Sequence, residues 1–140
     1  MLDIPVVVSG SFRKHLAEIQ EAIRQFRALG VTVLSPQLSP AVNPGDDFVL
    51  LESDDTDDPS VLEQRHLDAI AEAHLLYICN PGGYIGPTVA MEIGWARAHE
   101  VPIVASHTLA DVTLMHFVDQ TLLSPKEVVA AFLRYRSGTS

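Results

Sequence analysis

The chain has 140 residues, the length of one domain, and its 47% hydrophobic against 19% charged residues exclude wholesale disorder. Nine Lys and Arg against 18 Asp and Glu give a net charge of −9, which argues against a nucleic-acid polymer or an anionic membrane as partner. Seven of those acids, with no base among them, fall between Asp46 and Asp58, so the charge describes one segment and not the whole surface.

In chain order, Ile4-Pro5-Val6-Val7-Val8 is a β-branched run entering a turn at Ser9-Gly10-Ser11, the pattern of a buried strand. From Phe12 to Leu29 the residues Leu16, Ile19, Ile23, Phe26 and Leu29 recur at helical spacing, and Gly30 ends the helix. Val31–Leu34 is a second strand. Residues 37–59 hold the acids and several Pro and Gly, with Phe48-Val49-Leu50-Leu51 as a short packed piece. A loop of that length is more often functional than idle. Ser60-Val61-Leu62-Glu63 has the spacing of a capping box and predicts a helix from there to about Ala73.

Leu75–Cys79 reads as a third strand, running into Asn80-Pro81-Gly82-Gly83-Tyr84-Ile85-Gly86. Pro87 suits a first helical position, and the helix should continue through Glu92, Trp95 and Ala98. Val101–Ala105 is a fourth strand. Residues 106–123 suggest a short helix and then an edge strand near Phe117-Val118. Ser124-Pro125-Lys126-Glu127 opens a last helix carrying Val128, Val129, Phe132 and Leu133, and 137–140 reads as a frayed tail. The alternation implies an α/β fold: a single domain, 1–140, with a doubly wound, Rossmann- or flavodoxin-like parallel sheet of four to five strands and helices on both faces. Ligands of such sheets bind beyond the carboxyl ends of the strands.

No apolar run reaches the ~20 residues of a membrane span, and the N-terminus carries no basic leader or cleavage site. Cys79 has no partner cysteine and sits in an apolar run, as a buried thiol does in a reducing, cytoplasmic setting. The histidines His15, His66, His74, His99, His107 and His116 show no metal-ligand spacing, so no metal and no cofactor are expected.

Three strand-end segments carry chemistry. Ser9, Gly10, Ser11, Phe12 and Arg13 combine a glycine, two hydroxyls, helix N-terminal amides and a guanidinium, which suits a phosphate or carboxylate. The same residues also suit an ordinary strand-to-helix turn capped by Ser11. Neither G-x-G-x-x-G nor the lysine-bearing phosphate loop occurs, which excludes the usual dinucleotide and P-loop readings. Gly82, Gly83 and Gly86, beside Tyr84, would let backbone approach a sugar or phosphate. Glu92, in the second turn of the next helix among Met91, Ile93 and Trp95, either points into the strand-end cleft or is a solvated acid favoured by the helix dipole. The acidic loop is a solvated or a substrate-gating element and lacks the register of a calcium loop.

Gly10-Ser11-Phe12-Arg13 after the first strand, followed by the glycine turn and Glu92-Ile93-Gly94-Trp95-Ala96, resembles the nucleoside 2-deoxyribosyltransferase superfamily, which includes deoxynucleoside 5′-monophosphate N-glycosidases. The similarity spans roughly residues 5–105. It implies cleavage or transfer at the N-glycosidic bond of a nucleoside or nucleoside 5′-monophosphate through a covalent glycosyl-glutamate. Glu92 would be the nucleophile, and Ser11 and Arg13 with the amides of Gly10 and Phe12 would hold a 5′-phosphate. Tyr84 and Gly82-Gly83 would lie beside the sugar. The sequence departs from the family where His66 replaces an aspartate on the helix before strand three, which makes His66 an acid or a substrate contact. Asp68 lies about 200° round the helix, too far to stand in for that aspartate. His74 likewise replaces the family aspartate that opens strand three. Pro81-Gly82-Gly83 with Gly86, Thr88 and Glu92 also resembles a stretched phosphoribohydrolase motif of the lysine decarboxylase-like type. The reading of another class is a non-catalytic nucleotide-sensing module. The first resemblance implies a homodimer or higher homo-oligomer, with residues 106–116, including His107 and His116, as candidates to cross its boundary.

Overall fold

The structure is a computed structural model and describes residues 4–131; Phe132, Leu133 and the 137–140 tail lie outside the described residues. Five parallel strands form one sheet: β1 (Val6–Ser9), β2 (Val33–Ser35), β3 (Leu75–Ile78), β4 (Ile103–Ala105) and β5 (Gln120–Thr121), in the order β2-β1-β3-β4-β5. This is the flavodoxin-like order, in which the direction of winding reverses between β1 and β3.

Every residue of β1 and β3 is buried, as a parallel sheet covered on both faces requires. Alternate residues serve opposite faces. Val6, Val8, Leu75 and Tyr77 meet Ile19, Ile23 and Phe26 of α1 (Phe12–Ala28) and Val128 and Val129 of the helical residues 125–131, termed α4. Val7, Leu76 and Ile78 meet Leu67 and Ile70 of α2 (Pro59–Glu72) and Ile93 and Ala96 of α3 (Pro87–Ala98). The Phe26 and Tyr77 rings pack edge to face, 5.4 Å between centroids. Cys79 is buried and free, as the sequence implies.

Helix ends follow local chemistry. Gly30, at φ 82°, turns the chain out of α1 where a side chain would be strained. Pro87 occupies the first turn of α3. Ser124 accepts the Glu127 N–H, and the Glu127 carboxylate accepts the Leu123 N–H, so the expected capped start of α4 is present. The capping box expected at Ser60 is not. Asp58 caps α2 by accepting the Ser60 N–H at 2.9 Å, because Pro59 has no N–H to satisfy and sets the first helical φ. Glu63 is thereby free to turn inward.

The edge strand also differs from expectation. Leu114–Phe117 is a 3₁₀ turn, and the strand begins at Gln120, once Asp119 has accepted the Ile103 N–H and tied the chain to β4. Both β5 residues are exposed, so no alternating apolar pattern marks them. Among residues 37–58, Ala41 and Leu51 form an antiparallel bridge, and Val49 and Leu51 are buried while Phe48 is partly exposed. No helix of the described residues is long and apolar enough to cross a membrane.

Candidate active site

The reversal between β1 and β3 opens a cavity of about 530 Å³ at the carboxyl ends of β1 and β2, walled by α2, the start of α3 and the acidic loop. Leu34, Phe48, Val49 and Leu51 form an apolar wall, and Ser9, Ser35, Glu63, His66 and Glu92 a polar corner. An apolar pocket with a few convergent polar groups is the usual form of a small-molecule site.

The corner is built by four elements, β1, β2, α2 and α3. The last residue of β1, Ser9, places Oγ 3.0 Å from His66 Nε2, and the last residue of β2, Ser35, places Oγ 2.6 Å from His66 Nδ1. His66 Nε2 is 3.7 Å from Glu92 Oε1. Glu92 is only 4% exposed and touches both the Ser9 hydroxyl and the Glu63 carboxyl. Burial depresses the His66 imidazole to a pKa of about 4, so at neutral pH it is uncharged and its approach to Glu92 is not an ion pair. Burial and the facing Glu63 carboxyl push Glu92 well above the usual carboxylate range, against the pull of the Ser9 hydroxyl, which favours the charged form. With Ser9 donating to Glu92, its oxygen is left to accept from His66 Nε2–H, and Nδ1 accepts from Ser35. All three donors then point toward Glu92.

The cavity lining contains Ser9, Gly10, Ser11, Phe12, Arg13, His66, Tyr84, Gly86 and Glu92 of the residues named from sequence, but neither Gly82 nor Gly83. Ser11 caps α1, accepting the Lys14 N–H at 3.3 Å, which leaves its own hydroxyl proton to donate. Gly10 owes its identity to packing, since a Cβ there would lie 2.6 Å from the Cys79 carbonyl and 2.9 Å from Ile19. Arg13 reaches Asp47 of the acidic loop at 3.6 Å, with both side chains exposed. Lys14 sits over the Tyr84 ring, 3.7 Å from its centroid.

The glycine turn after β3 is a correction in geometry. Gly82 and Gly83 have φ of 72° and 84°, and a Cβ on Gly83 would lie 2.6 Å from the Thr108 carbonyl. Asn80 binds the Ser106 hydroxyl and both the N–H and the carbonyl of His107, so the turn is fastened to the segment after β4. Asp68 bonds Gln64 at the surface, on the far side of α2 from the cavity. Two residues of the corner, Ser35 and Glu63, are not marked as site residues by the sequence. Ser35 ends a strand, where ligand groups of such folds lie, and Glu63 stands one helical turn before His66 on the same face.

The polar corner lies at the winding reversal of a flavodoxin-like sheet, the place where α/β folds of this kind carry small-molecule sites. Among solved structures, a conserved protein from Enterococcus faecalis V583 is 18% identical with a TM-score of 0.62, covering 91% of this chain and 95% of its own. The CMP N-glycosidase BcmB from Clostridium botulinum is also 18% identical, with a TM-score of 0.55, covering 94% of this chain and 98% of its own. These likenesses show a shared fold over nearly the whole length. No family model matches the chain, and no curated protein matches it in sequence.

Proposed function

We propose that the protein cleaves the N-glycosidic bond of a nucleoside or nucleoside 5′-monophosphate, with Glu92 as nucleophile. The observation that carries this reading is the Glu92 carboxyl, buried to 4% yet lining the cavity, with Ser9 donating to it and His66 Nε2 at 3.7 Å. A solvated helix acid has no need of such surroundings. The fold is one that a CMP N-glycosidase also uses, which supports the same ligand class here.

The chemistry follows from the positions. A buried carboxylate held by a hydroxyl can attack an anomeric carbon at short range and also stabilise the positive charge that develops on the sugar. The sugar would occupy the corner, the base the apolar wall of Leu34, Phe48, Val49 and Leu51, and a 5′-phosphate the helix start at Ser11, Phe12 and Arg13. Arg13 would exchange Asp47 for the phosphate. His66 is a positioning group, because a neutral imidazole fixed between two hydroxyls orients Ser9 and through it Glu92.

The test is chromatographic. Incubation with a panel of nucleosides and nucleoside 5′-monophosphates should release free base from at least one of them. Thermal stabilisation by nucleotides with no base released on long incubation would replace this reading by that of a binding module.

A further inference from the structure

The departing base carries away the electron pair of the broken C–N bond and needs a proton. Taking Glu92 as nucleophile, on which this inference rests, the corner must hold a second group able to supply one. His66 cannot: it is uncharged at neutral pH and its one ring proton is engaged with Ser9. The serine hydroxyls are too weakly acidic. Glu63 lies one turn before His66 on α2, lines the same cavity, and touches the Glu92 carboxyl. Its Oε2 is shut off from solvent and has no hydrogen-bond partner among the described residues.

Glu92 is buried and Glu63 half-buried with its Oε2 closed to solvent, and two carboxyls in such contact do not both ionise freely, so the pair shares a proton. The donors distinguish the two carboxyls. Glu92 receives the Ser9 hydroxyl, which His66 and Ser35 support in turn, whereas Glu63 Oε2 receives nothing. The Ser9 hydroxyl thus favours the charged form of Glu92, against the burial and the Glu63 contact that raise it, and Glu63 Oε2 is left as the uncommitted oxygen of the pair. The other charged groups lining the cavity are engaged with one another at its rim, Arg13 with Asp47 and Arg65 with Asp55, while Asp54 accepts the Leu51 N–H.

We propose that Glu63 is the acid–base partner of Glu92, an acid carried on the helix position one turn before His66. In the first half-reaction a Glu92 oxygen bonds to the anomeric carbon, the C–N bond breaks with its electron pair passing to the base, and the Glu63 proton passes to that base. In the second half, water attacks the anomeric carbon and gives its proton to Glu63. The ester C–O bond breaks and its electron pair returns to Glu92. The site ends as it began, with one proton on the pair. Two carboxyls divide the work of retaining glycoside hydrolases in the same way.

The experiment compares wild type, Glu63→Gln and Glu63→Asp on a series of nucleotides whose bases differ in leaving ability, chosen from the base type the wild type releases. Glu63→Gln should lose about 10²–10³-fold in kcat/KM on the poorest leaving base and less than about tenfold on the best, the size expected for a lost general acid. The alkaline limb of its pH–rate profile should disappear, and Glu63→Asp should recover part of both. An equal loss across the series, or none, would overturn the assignment while leaving Glu92 as nucleophile intact. A wild type that releases base from no member would overturn the Glu92 reading and this assignment with it. If Glu63→Gln does not fold, Glu63→Asp carries the test through the steeper leaving-base dependence that a misplaced acid produces.

Discussion

The two glycine-bearing turns, Ser9–Arg13 after β1 and Asn80–Gly86 after β3, look alike in sequence and end up doing different things. In each, a glycine is present because a neighbouring backbone leaves no room for a side chain: the Cys79 carbonyl at Gly10 and the Thr108 carbonyl at Gly83. What separates them is where their polar groups go. Asn80 uses its amide on Ser106 and His107, so the second turn is closed by the protein itself. The first turn lines the cavity, beside Glu92 and Glu63, whose Oε2 lacks a partner among the described residues. A glycine marks close packing. An uncommitted polar group marks a site.

The sharpest way to break this contrast is Glu92→Gln. It should reduce base release by at least about 10³-fold, a barrier change of roughly 4 kcal/mol, with nucleotide binding by calorimetry retained. Base release near the wild-type rate would put the chemistry elsewhere. In the other turn, Gly83→Ala combines a positive φ with a backbone clash and should cost about 2–4 kcal/mol in urea unfolding. Its kcat/KM per folded molecule should stay within about twofold of wild type, since Gly83 lies outside the cavity lining.

A third prediction concerns pH. The His66 pKa is near 6.5 unfolded and about 4 folded, so above pH 6.5 the imidazole is neutral in both states and costs nothing. As pH falls from 6.5 to about 4 the unfolded chain binds the proton first, and folding loses up to about 3 kcal/mol. Glu92, raised in the fold, works in the opposite direction over its own range. Urea midpoints of wild type and His66→Gln should therefore diverge below pH 6.5, the wild type losing more; parallel curves would mean His66 is solvated. The smallest effect is expected at the exposed rim. Arg13→Ala should raise KM about tenfold for a nucleotide and less than about twofold for the nucleoside, and equal effects on both would remove the phosphate from this turn.

Much of the fold is legible because its signals are local and strong. The β-branched run that becomes β1 and the apolar run that becomes β3 are buried throughout, and the stripe Ile19, Ile23, Phe26 announces α1 before any contact is known. The edge strand β5 is not legible, since Gln120 and Thr121 are exposed and are set by Asp119 anchoring to β4. The start of α2 is ambiguous in the sequence because two caps compete within three residues, and Pro59 decides in favour of Asp58. The same ambiguity conceals Glu63, which fits a capping acid in the sequence pattern and lines the cavity in the fold. Ser35 was invisible for a different reason: its role exists only when β2 lies beside β1 and α2 lies over both.

The central claim is that Glu92 carries the sugar during turnover. Wild type mixed with a nucleotide that it cleaves, acid-quenched during turnover and weighed intact, should show a fraction of molecules heavier by one sugar phosphate. Peptide mapping should place that mass on the segment containing Glu92. Base released at full rate with no adduct at any quench time, or an adduct on another residue, would contradict it.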